Sequence, residues 1–282
     1  MNLCDYNTVK RILAKHGFTF SKALGQNFLI NPDVCPQMAD SLCADKSTGV
    51  LEVGAGIGVL TKELCRVAGR VVCVELDKRL LPVLDETLGE FDNLEIVNDD
   101  IMKVDLNALI KDRFKECACV KVCANLPYYI TSPVIMTLLE SKLPIDEIVV
   151  MVQKEAGERL CAQVGSRMSG TVTVAVNYYA ESEILFDVYR DSFMPSPKVD
   201  SVVIRLKIRQ KPLFELKDEK KFFTVVRCAF SQRRKTALNS ISNAMGIAKD
   251  KLTEVFTQYG IDLNIRAERL TMEDFKNISQ SI

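Results

Sequence analysis

The tetrapeptide Asn125-Leu126-Pro127-Tyr128 carries the most specific chemistry in the sequence. It follows the apolar run Val120-Lys-Val-Cys-Ala124 and so stands where a buried strand would end. The Asn125 side-chain carbonyl and the Leu126 backbone carbonyl are two acceptors set side by side. An exocyclic amine on a purine is a poor nucleophile, because its lone pair is delocalised into the ring. Two acceptors that hold its two hydrogens bend the nitrogen toward tetrahedral geometry and free the lone pair for attack on an electrophilic carbon. Pro127 fixes the backbone so that both acceptors point one way. Tyr128 offers a ring on which a base drawn out of its helix or loop can stack. No deprotonating base is needed before transfer. Read alone, the same four residues also describe a β-turn with a packed tyrosine. Phe193, in Ser192-Phe-Met-Pro195, could supply a second stacking face, although a lone phenylalanine is more often a core residue.

A second signal lies upstream. Val50-Leu-Glu-Val53 reads as a buried strand that runs into Gly54-Ala-Gly56-Ile-Gly58 and then an amphipathic segment. A strand, a glycine turn and a helix start let a ligand approach the backbone closely, beside the positive end of a helix dipole. A dinucleotide site wants its third glycine three residues after the second, and here that position is Val59. The spacing Gly54, Gly56, Gly58 instead resembles the first motif of class I S-adenosylmethionine methyltransferases, whose loop lies against the methionine part of a cofactor without phosphate. A purely structural tight turn is the plainer alternative. Glu75 ends the next strand-like run, where a carboxylate can accept hydrogen bonds from both hydroxyls of a ribose. NAD and S-adenosylmethionine share that sugar, so Glu75 fits either. Asp99-Asp100 follow a third run, Leu94-Glu-Ile-Val97, at the edge where open α/β sheets bind ligands. One of these acids can accept from a cofactor's adenine amine while the other caps a helix.

These residues work together only if a scaffold gathers several strand ends. The runs at Val50–Gly54, Val71–Glu75, Leu94–Val97, Val120–Ala124 and Ile148–Val152 read as buried strands, with helices such as Val59–Val67 and Lys78–Leu88 between them. That rhythm predicts an α/β domain: a Rossmann-like, mostly parallel, seven-stranded sheet. Asp33–Ala44 is read as an earlier helix, with Asn31 as its cap and Pro32 in its first turn. Val172–Tyr179 and Val199–Ile208 are longer and alternate more, which suits antiparallel strands closing the sheet. Lys211–Lys221 is charged, contains Pro212 and is read as a linker. The stretches Phe222–Phe230, Lys235–Met245, Lys249–Tyr259 and Thr271–Ser279 read as short helices, with Gly246 and Gly260 as stops. The expected division is therefore an α/β domain over 1–210 and a small all-helical domain over 211–282.

Composition excludes several classes. At 282 residues, 48% hydrophobic and 26% charged, the chain is an ordinary globular one. It holds no apolar run of about 18 residues that could span a membrane, and no secretory signal is read at its start. The ten cysteines are scattered, mostly within apolar runs (Cys43, Cys65, Cys73, Cys161, Cys228). Cys117-Ala-Cys119 with Cys123 lacks the paired spacing of a zinc site, and His16 is the single histidine, so no metal is expected. Free thiols in a reducing cytoplasm are the expectation. Charge is segregated: Ser196–Lys235 holds 12 Lys and Arg against 4 Asp and Glu, while the whole chain has 37 of each. That pattern suggests a basic face on an otherwise acidic protein, with chance clustering as the alternative.

Taken together these residues resemble the ribosomal RNA adenine dimethyltransferase family, on the branch of the bacterial small-subunit (16S) enzymes linked to kasugamycin sensitivity. The likeness runs from Lys22 to about Ser240. Its motifs are Leu24-Gly-Gln-Asn-Phe-Leu29, Glu52–Gly58, Asn125–Thr131, Phe193–Ser201 and Phe230–Thr236. The resemblance implies methyl transfer from S-adenosylmethionine to two adjacent adenosines in the 3′-terminal hairpin loop of small-subunit RNA, within an immature 30S particle. It also implies a cytoplasmic protein, with a monomer expected. Matched by motif, Asn27, Leu29, Gly54, Glu75, Asp100 and Asn125 would contact the cofactor. Asn125, Leu126, Tyr128 and Phe193 would hold the target base, and the helical domain would help dock on the particle. Arg233-Arg234-Lys235 match the family's basic run and are candidates for RNA contact, with helix capping or ion pairing as the alternatives. Ala55 stands where a proline is common, and Arg167–Gly170 lacks a tyrosine that often precedes the glycine. Three other readings stay open: a large-subunit adenine methyltransferase of the macrolide-resistance type, an assembly factor with secondary catalysis, and a dinucleotide-dependent enzyme.

Overall fold

Runs too apolar to alternate suit strands that helices cover on both faces of a sheet. A computed structural model describes residues 1–21 and 25–282, so Lys22 and Leu24 of the matched segment lie outside the described residues. The chain opens with helix α1 (Tyr6–Lys15), strand β1 (Phe28–Leu29) and helix α2 (Val34–Ser41). It then alternates through β2 (Thr48–Val53), α3 (Val59–Val67), β3 (Arg70–Glu75), α4 (Leu81–Leu88) and β4 (Leu94–Asn98). Helix α5 (Leu106–Arg113), β5 (Cys119–Asn125), α6 (Thr131–Glu140) and β6 (Glu147–Gln153) continue the pattern. Next come α7 (Lys154–Leu160), α8 (Thr171–Tyr179), β7 (Ala180–Val188), β8 (Phe193–Met194) and β9 (Ser201–Ile208). Four helices close the chain: α9 (Glu219–Phe230), α10 (Ala237–Met245), α11 (Lys249–Gln258) and α12 (Met272–Ser281).

Among the described residues, seven strands form one sheet in the order β4-β3-β2-β5-β6-β9-β7. The pairings β2–β3, β3–β4, β2–β5 and β5–β6 are parallel, and β9 runs antiparallel to β6. This is the mostly parallel α/β architecture that the alternating runs lead one to expect. A separate ribbon pairs β1 with β8, Phe28 opposite Met194 and Leu29 opposite Phe193. Two compact units divide the chain: Met1–Gly157 with Glu183–Ile208, and Glu158–Ser182 with Arg209–Ile282. Residues 158–182 thus fall in the second unit, although they lie inside the 1–210 stretch read as one domain.

In the first unit, α2 starts later than its composition suggested. Pro32 precedes it, Asp33 is its N-cap residue, and Asn31 Oδ1 accepts from the Asp33 N–H at 3.0 Å. Its C-terminal carbonyls are satisfied by cations from the sheet: the Lys121 ammonium donates to Leu42 O and the Arg205 guanidinium to Ser41 O. Both cations also pair with the largely buried Glu147. Just beyond the helix, Cys43 is exposed with φ +46°, so it does not share the apolar setting of Cys65 and Cys73.

In the second unit, Val172–Tyr179 forms helix α8 rather than the expected strand. Every residue of the segment except Asn177 is buried, so no solvent face is left to give it a helical period. Local hydrogen bonds fix the helix: Thr173 Oγ1 accepts from Gly170 N at 3.0 Å and donates to Arg159 O at 2.8 Å. Tyr178 and Tyr179 then pack with Phe214, Phe222 and Phe223, and the Tyr179 and Phe223 rings stack at 5.4 Å. Helices α9, α10 and α12 begin at Asp218, Thr236 and Thr271, whose side chains accept from the first-turn N–H groups.

Candidate active site

The sheet order reverses at β2: β3 and β4 lie to one side, β5 and β6 to the other. Such a switch point leaves a crevice at the carboxyl ends of the strands. A cavity of about 260 Å³ opens there, within the first unit. Asn27, Leu29, Gly54, Glu75, Asp100, Asn125, Leu126, Tyr128 and Phe193 all line it. The structure therefore brings together every residue that the motifs assigned to cofactor or base.

The floor is the turn after β2. Gly54 has φ +78° and Gly56 φ +59°, a left-handed backbone that favours glycine. A Cβ at Gly54 would meet no protein atom, so its open side faces the cavity, whereas at Gly58 it would strike Leu88 at 2.9 Å. Gly54 and Gly58 thus differ: the first borders open space, and the second packs against Leu88. The turn is pinned by Gly54 N donating to Val74 O at 2.9 Å.

The acids differ in their engagement. Glu75 is buried, and its two oxygens accept from Gly56 N (3.0 Å) and Asp77 N (2.8 Å). Each oxygen keeps a second lone pair for a ligand hydroxyl. Burial raises its pKa, and the two backbone N–H groups oppose that rise. Asp100 is half-buried; its Oδ1 accepts from Met102 N at 3.0 Å and its Oδ2 lies 3.5 Å from Lys103 Nζ. Asp99 is exposed and accepts from Asp100 N at 2.7 Å. Both acids build the turn, and Asp100 is the less exposed of the two. Glu52, which sequence reasoning placed only within a motif, is fully buried and also lines the cavity. Among the described residues, the cavity is lined by four carboxyls, Glu52, Glu75, Asp99 and Asp100, and by no lysine or arginine.

The tetrapeptide sits where β5 ends. Asn125 pairs with Met151 in the ladder, and the Leu126 N–H donates to Met151 O at 3.1 Å. That bond locks the Leu126 peptide while its side chain is buried. Among the described residues, neither the Asn125 carboxamide nor the Leu126 carbonyl is claimed by another hydrogen bond. The half-buried Tyr128 shares a hydrogen bond with Ser201 Oγ at 2.8 Å, which sets its ring orientation; burial raises its pKa. Phe193 is buried and faces the same cavity.

The N-terminal segment reaches the cavity through contacts that no sequence spacing signalled. Asn27 Nδ2 donates to Gly25 O at 3.1 Å, and Gln26 Nε2 donates to Asp77 Oδ2 at 2.8 Å. Asp77 is held in turn by Arg79, whose guanidinium keeps that carboxyl below its ordinary range. The basic triplet lies elsewhere: Arg233, Arg234 and Lys235 belong to the second unit and do not line the cavity. All three are exposed, and among the described residues their side chains make no ion pair or hydrogen bond. Thr236, not the triplet, caps α10. Other cations of the basic stretch are consumed internally, Arg205 by Glu147 and Glu183 and Arg209 by Glu181.

Comparison with known proteins places this geometry. A profile of the family described as Ribosomal RNA adenine dimethylase matches residues 17–282. A ribosomal RNA small subunit methyltransferase A from Bacillus mycoides (strain KBAB4) is 46% identical over 279 residues, covering 98% of this chain and 96% of its own. Its counterpart from Bacillus cereus (strain B4264) has the same 46% identity over 279 residues and the same coverage, 98% and 96%. In fold, the chain resembles a dimethyladenosine transferase from Plasmodium falciparum, with TM-score 0.70, 24% identity and coverage of 89% and 95% of the two chains. It also resembles the 23S rRNA methyltransferase ErmE, with TM-score 0.67, 25% identity and coverage of 90% and 99%. With nearly its whole length matched by the profile and by relatives of this identity, the chain belongs to the ribosomal RNA adenine dimethylase family.

Proposed function

We propose that the chain is an S-adenosylmethionine-dependent adenine N6-dimethyltransferase of small-subunit ribosomal RNA. It modifies two adjacent adenosines in the 3′-terminal hairpin loop, within an immature 30S particle in the cytoplasm. The observation that carries this reading is the make-up of one cavity: four carboxyls and no basic group beside a pair of unclaimed acceptors at Asn125 and Leu126. A dinucleotide would bring the negative charges of a pyrophosphate into this acidic lining, whereas S-adenosylmethionine has no phosphate and carries positive charge. The left-handed Gly54 turn and the spare lone pairs of Glu75 fit its methionine arm and its ribose. Asp100 is placed for its adenine amine.

S-adenosylmethionine, when bound, supplies a methyl group activated by a positively charged sulfur. The chain does the rest by positioning. Asn125 and Leu126 take the two hydrogens of the target amine and turn its lone pair toward the methyl. Tyr128 and Phe193 clasp the base, which must leave its stack to enter. A monomethylated amine still offers one hydrogen to the same acceptors, so one site serves both transfers to an adenine. One chain carries the whole cavity, and a monomer suffices. Arg233, Arg234 and Lys235 supply phosphate contacts on the particle.

The 46% identity to small-subunit enzymes favours the 30S substrate over the 50S one. The test is transfer of labelled methyl groups to 30S particles from a strain lacking this modification, with 50S particles alongside. Label in 30S RNA alone supports the reading, and label in 50S RNA moves it to the resistance-type enzyme.

A further inference from the structure

Tyr129 is a large ring left half uncovered on the wall of the cavity. It lines the cavity beside Tyr128, yet it is 53% exposed. Its place is fixed by the backbone around it. Tyr128–Ile130 forms a single helical turn, and Pro127 O accepts from Ile130 N at 3.1 Å and from Thr131 Oγ1 at 3.4 Å. One edge of the ring lies against Gly25, where a Cβ would come within 3.4 Å of Tyr129 Cδ1 and 3.6 Å of Cε1. The rest of the ring is not engaged. Among the described residues its hydroxyl has no hydrogen-bond partner, and it meets no other aromatic ring. Tyr128, by contrast, is half-buried and bonded to Ser201.

Among the described residues, two other exposed apolar side chains line the cavity, Leu76 and Met102. Leu76 follows Glu75, and Met102 donates its N–H to Asp100, so both stand on the side read as the cofactor's. Tyr129 instead follows the residues that would hold the target base. Consecutive Cα atoms lie about 3.8 Å apart, the scale of one step along a nucleic-acid strand, about 3.4 Å. The ring therefore stands within one nucleotide step of the held base. Drawing a base out of its stack also strips a face from the base beside it, which is part of the cost of extrusion. An exposed aromatic ring can cover that face, because every base has a π-face. Such a contact needs neither charge nor hydrogen bond, and Tyr129 has neither in use.

We propose that Tyr129 is the stacking platform for the nucleotide beside the target adenine. While Asn125, Leu126, Tyr128 and Phe193 hold one adenine, the base next to it in the RNA strand lies on the Tyr129 ring. Stacking is tolerant of sequence, so the ring accepts whichever base the strand brings there. A single platform lies on one flank of the pocket and meets the neighbour on one side of the target only. The two adjacent adenosines then differ. One is modified with its partner adenine on Tyr129, the other with an outer nucleotide there. This inference rests on the proposed function.

The experiment compares the parent chain, Tyr129→Phe and Tyr129→Leu on undermethylated 30S particles, by initial rates at saturating S-adenosylmethionine. Tyr129→Phe keeps the ring and should retain most of the parent's rate. Tyr129→Leu keeps an apolar side chain against Gly25 but offers no ring. It should transfer about tenfold or more slowly at low particle concentration, with cofactor affinity and melting temperature unchanged. Parental transfer by Tyr129→Leu would overturn the proposal. A second pair of particles identifies the occupant. Each carries uridine, a weaker stacker, in place of one of the two adjacent adenosines, and only one of them puts uridine on the platform. The ratio of rates on these two particles should therefore differ about fivefold or more between the parent and Tyr129→Leu. The same ratio in both chains would mean that the ring meets something other than the neighbouring base, and it too would overturn the proposal. Failure of the parent to modify unaltered 30S particles would sink the reading of the reaction, and the platform with it, before any variant is compared.

Discussion

Leu29 and Phe193 are register partners in the antiparallel ribbon of β1 and β8, although 164 positions separate them in the chain. The ribbon is extended by Ile30 N donating to Ser192 O at 2.8 Å and by Asn31 Nδ2 donating to Ser192 Oγ at 3.1 Å. In the proposed function Leu29 touches the cofactor and Phe193 touches the base. On that reading one two-stranded clip would grip both halves of the reaction and hold donor and acceptor at a fixed separation.

Replacing Phe193 by Leu should separate stacking from packing. Leucine keeps most of the buried volume, so stability should change by less than about 1.5 kcal/mol. Loss of the stacking face should lower methyl transfer about tenfold or more. Thermal melts and initial rates on undermethylated 30S particles check both halves. Unchanged transfer would show that the ring only packs.

Glu75→Ala should weaken cofactor binding by about 1.5–3 kcal/mol, the scale of hydrogen bonds to a charged group. Calorimetry reads this directly. An unchanged affinity would place the ribose elsewhere.

Glu52 sets a pH signature on the free chain. Its pKa is raised from 4.5 to about 8 by burial, so the stability it contributes is full below pH 4.5 and is lost as pH rises toward 8. Between pH 6 and pH 9 the parent should lose roughly 2–3 kcal/mol relative to Glu52→Gln, levelling off above pH 8. Urea melts without cofactor, run across that range on both chains, measure it. Parallel stability curves would mean that Glu52 is already ionised at pH 6.

Arg233 and Arg234 are exposed and unpaired among the described residues, so their removal should cost the fold little. The Arg233→Ala/Arg234→Ala chain should bind 30S particles more weakly, with a salt dependence shallower by up to about two counterions. Its cofactor affinity should match the parent's. An unaltered salt slope would remove the triplet from the RNA contact.

Much of the fold was legible because its signals are local. The five strand-like runs end in glycine or polar punctuation, and each forms a strand within a residue or two of its expected limits, although Leu94–Val97, at the sheet edge, is only half-buried. Helices α9 to α12 were legible as short segments after a charged linker, two of them stopped by Gly246 and Gly260. Helix α8 was not, because burial on nearly all sides erases the period that marks a surface helix. The ribbon of β1 and β8 was invisible for the opposite reason: two residues carry no pattern, and their pairing depends on a distant segment. In the site, Asn125, Glu75 and Gly54 could be named because the chemistry demands those residue types at strand ends. Gln26, Asp77 and Ser201 could not, since they act by holding other groups in place. Glu52 did carry a signal, a carboxylate inside an apolar strand, but only the structure shows it buried without a hydrogen-bond partner among the described residues.

The central claim is that Asn125 and Leu126 activate the amine of an adenine on small-subunit RNA. The most direct test is mass spectrometry of the 3′-terminal hairpin from undermethylated 30S particles, incubated with saturating cofactor and either the parent chain or Asn125→Ala. The parent should convert two adjacent adenosines to dimethyladenosine, while Asn125→Ala should bind the particle normally and transfer slower by at least about a hundredfold. Dimethylation by Asn125→Ala at the parental rate would contradict the account.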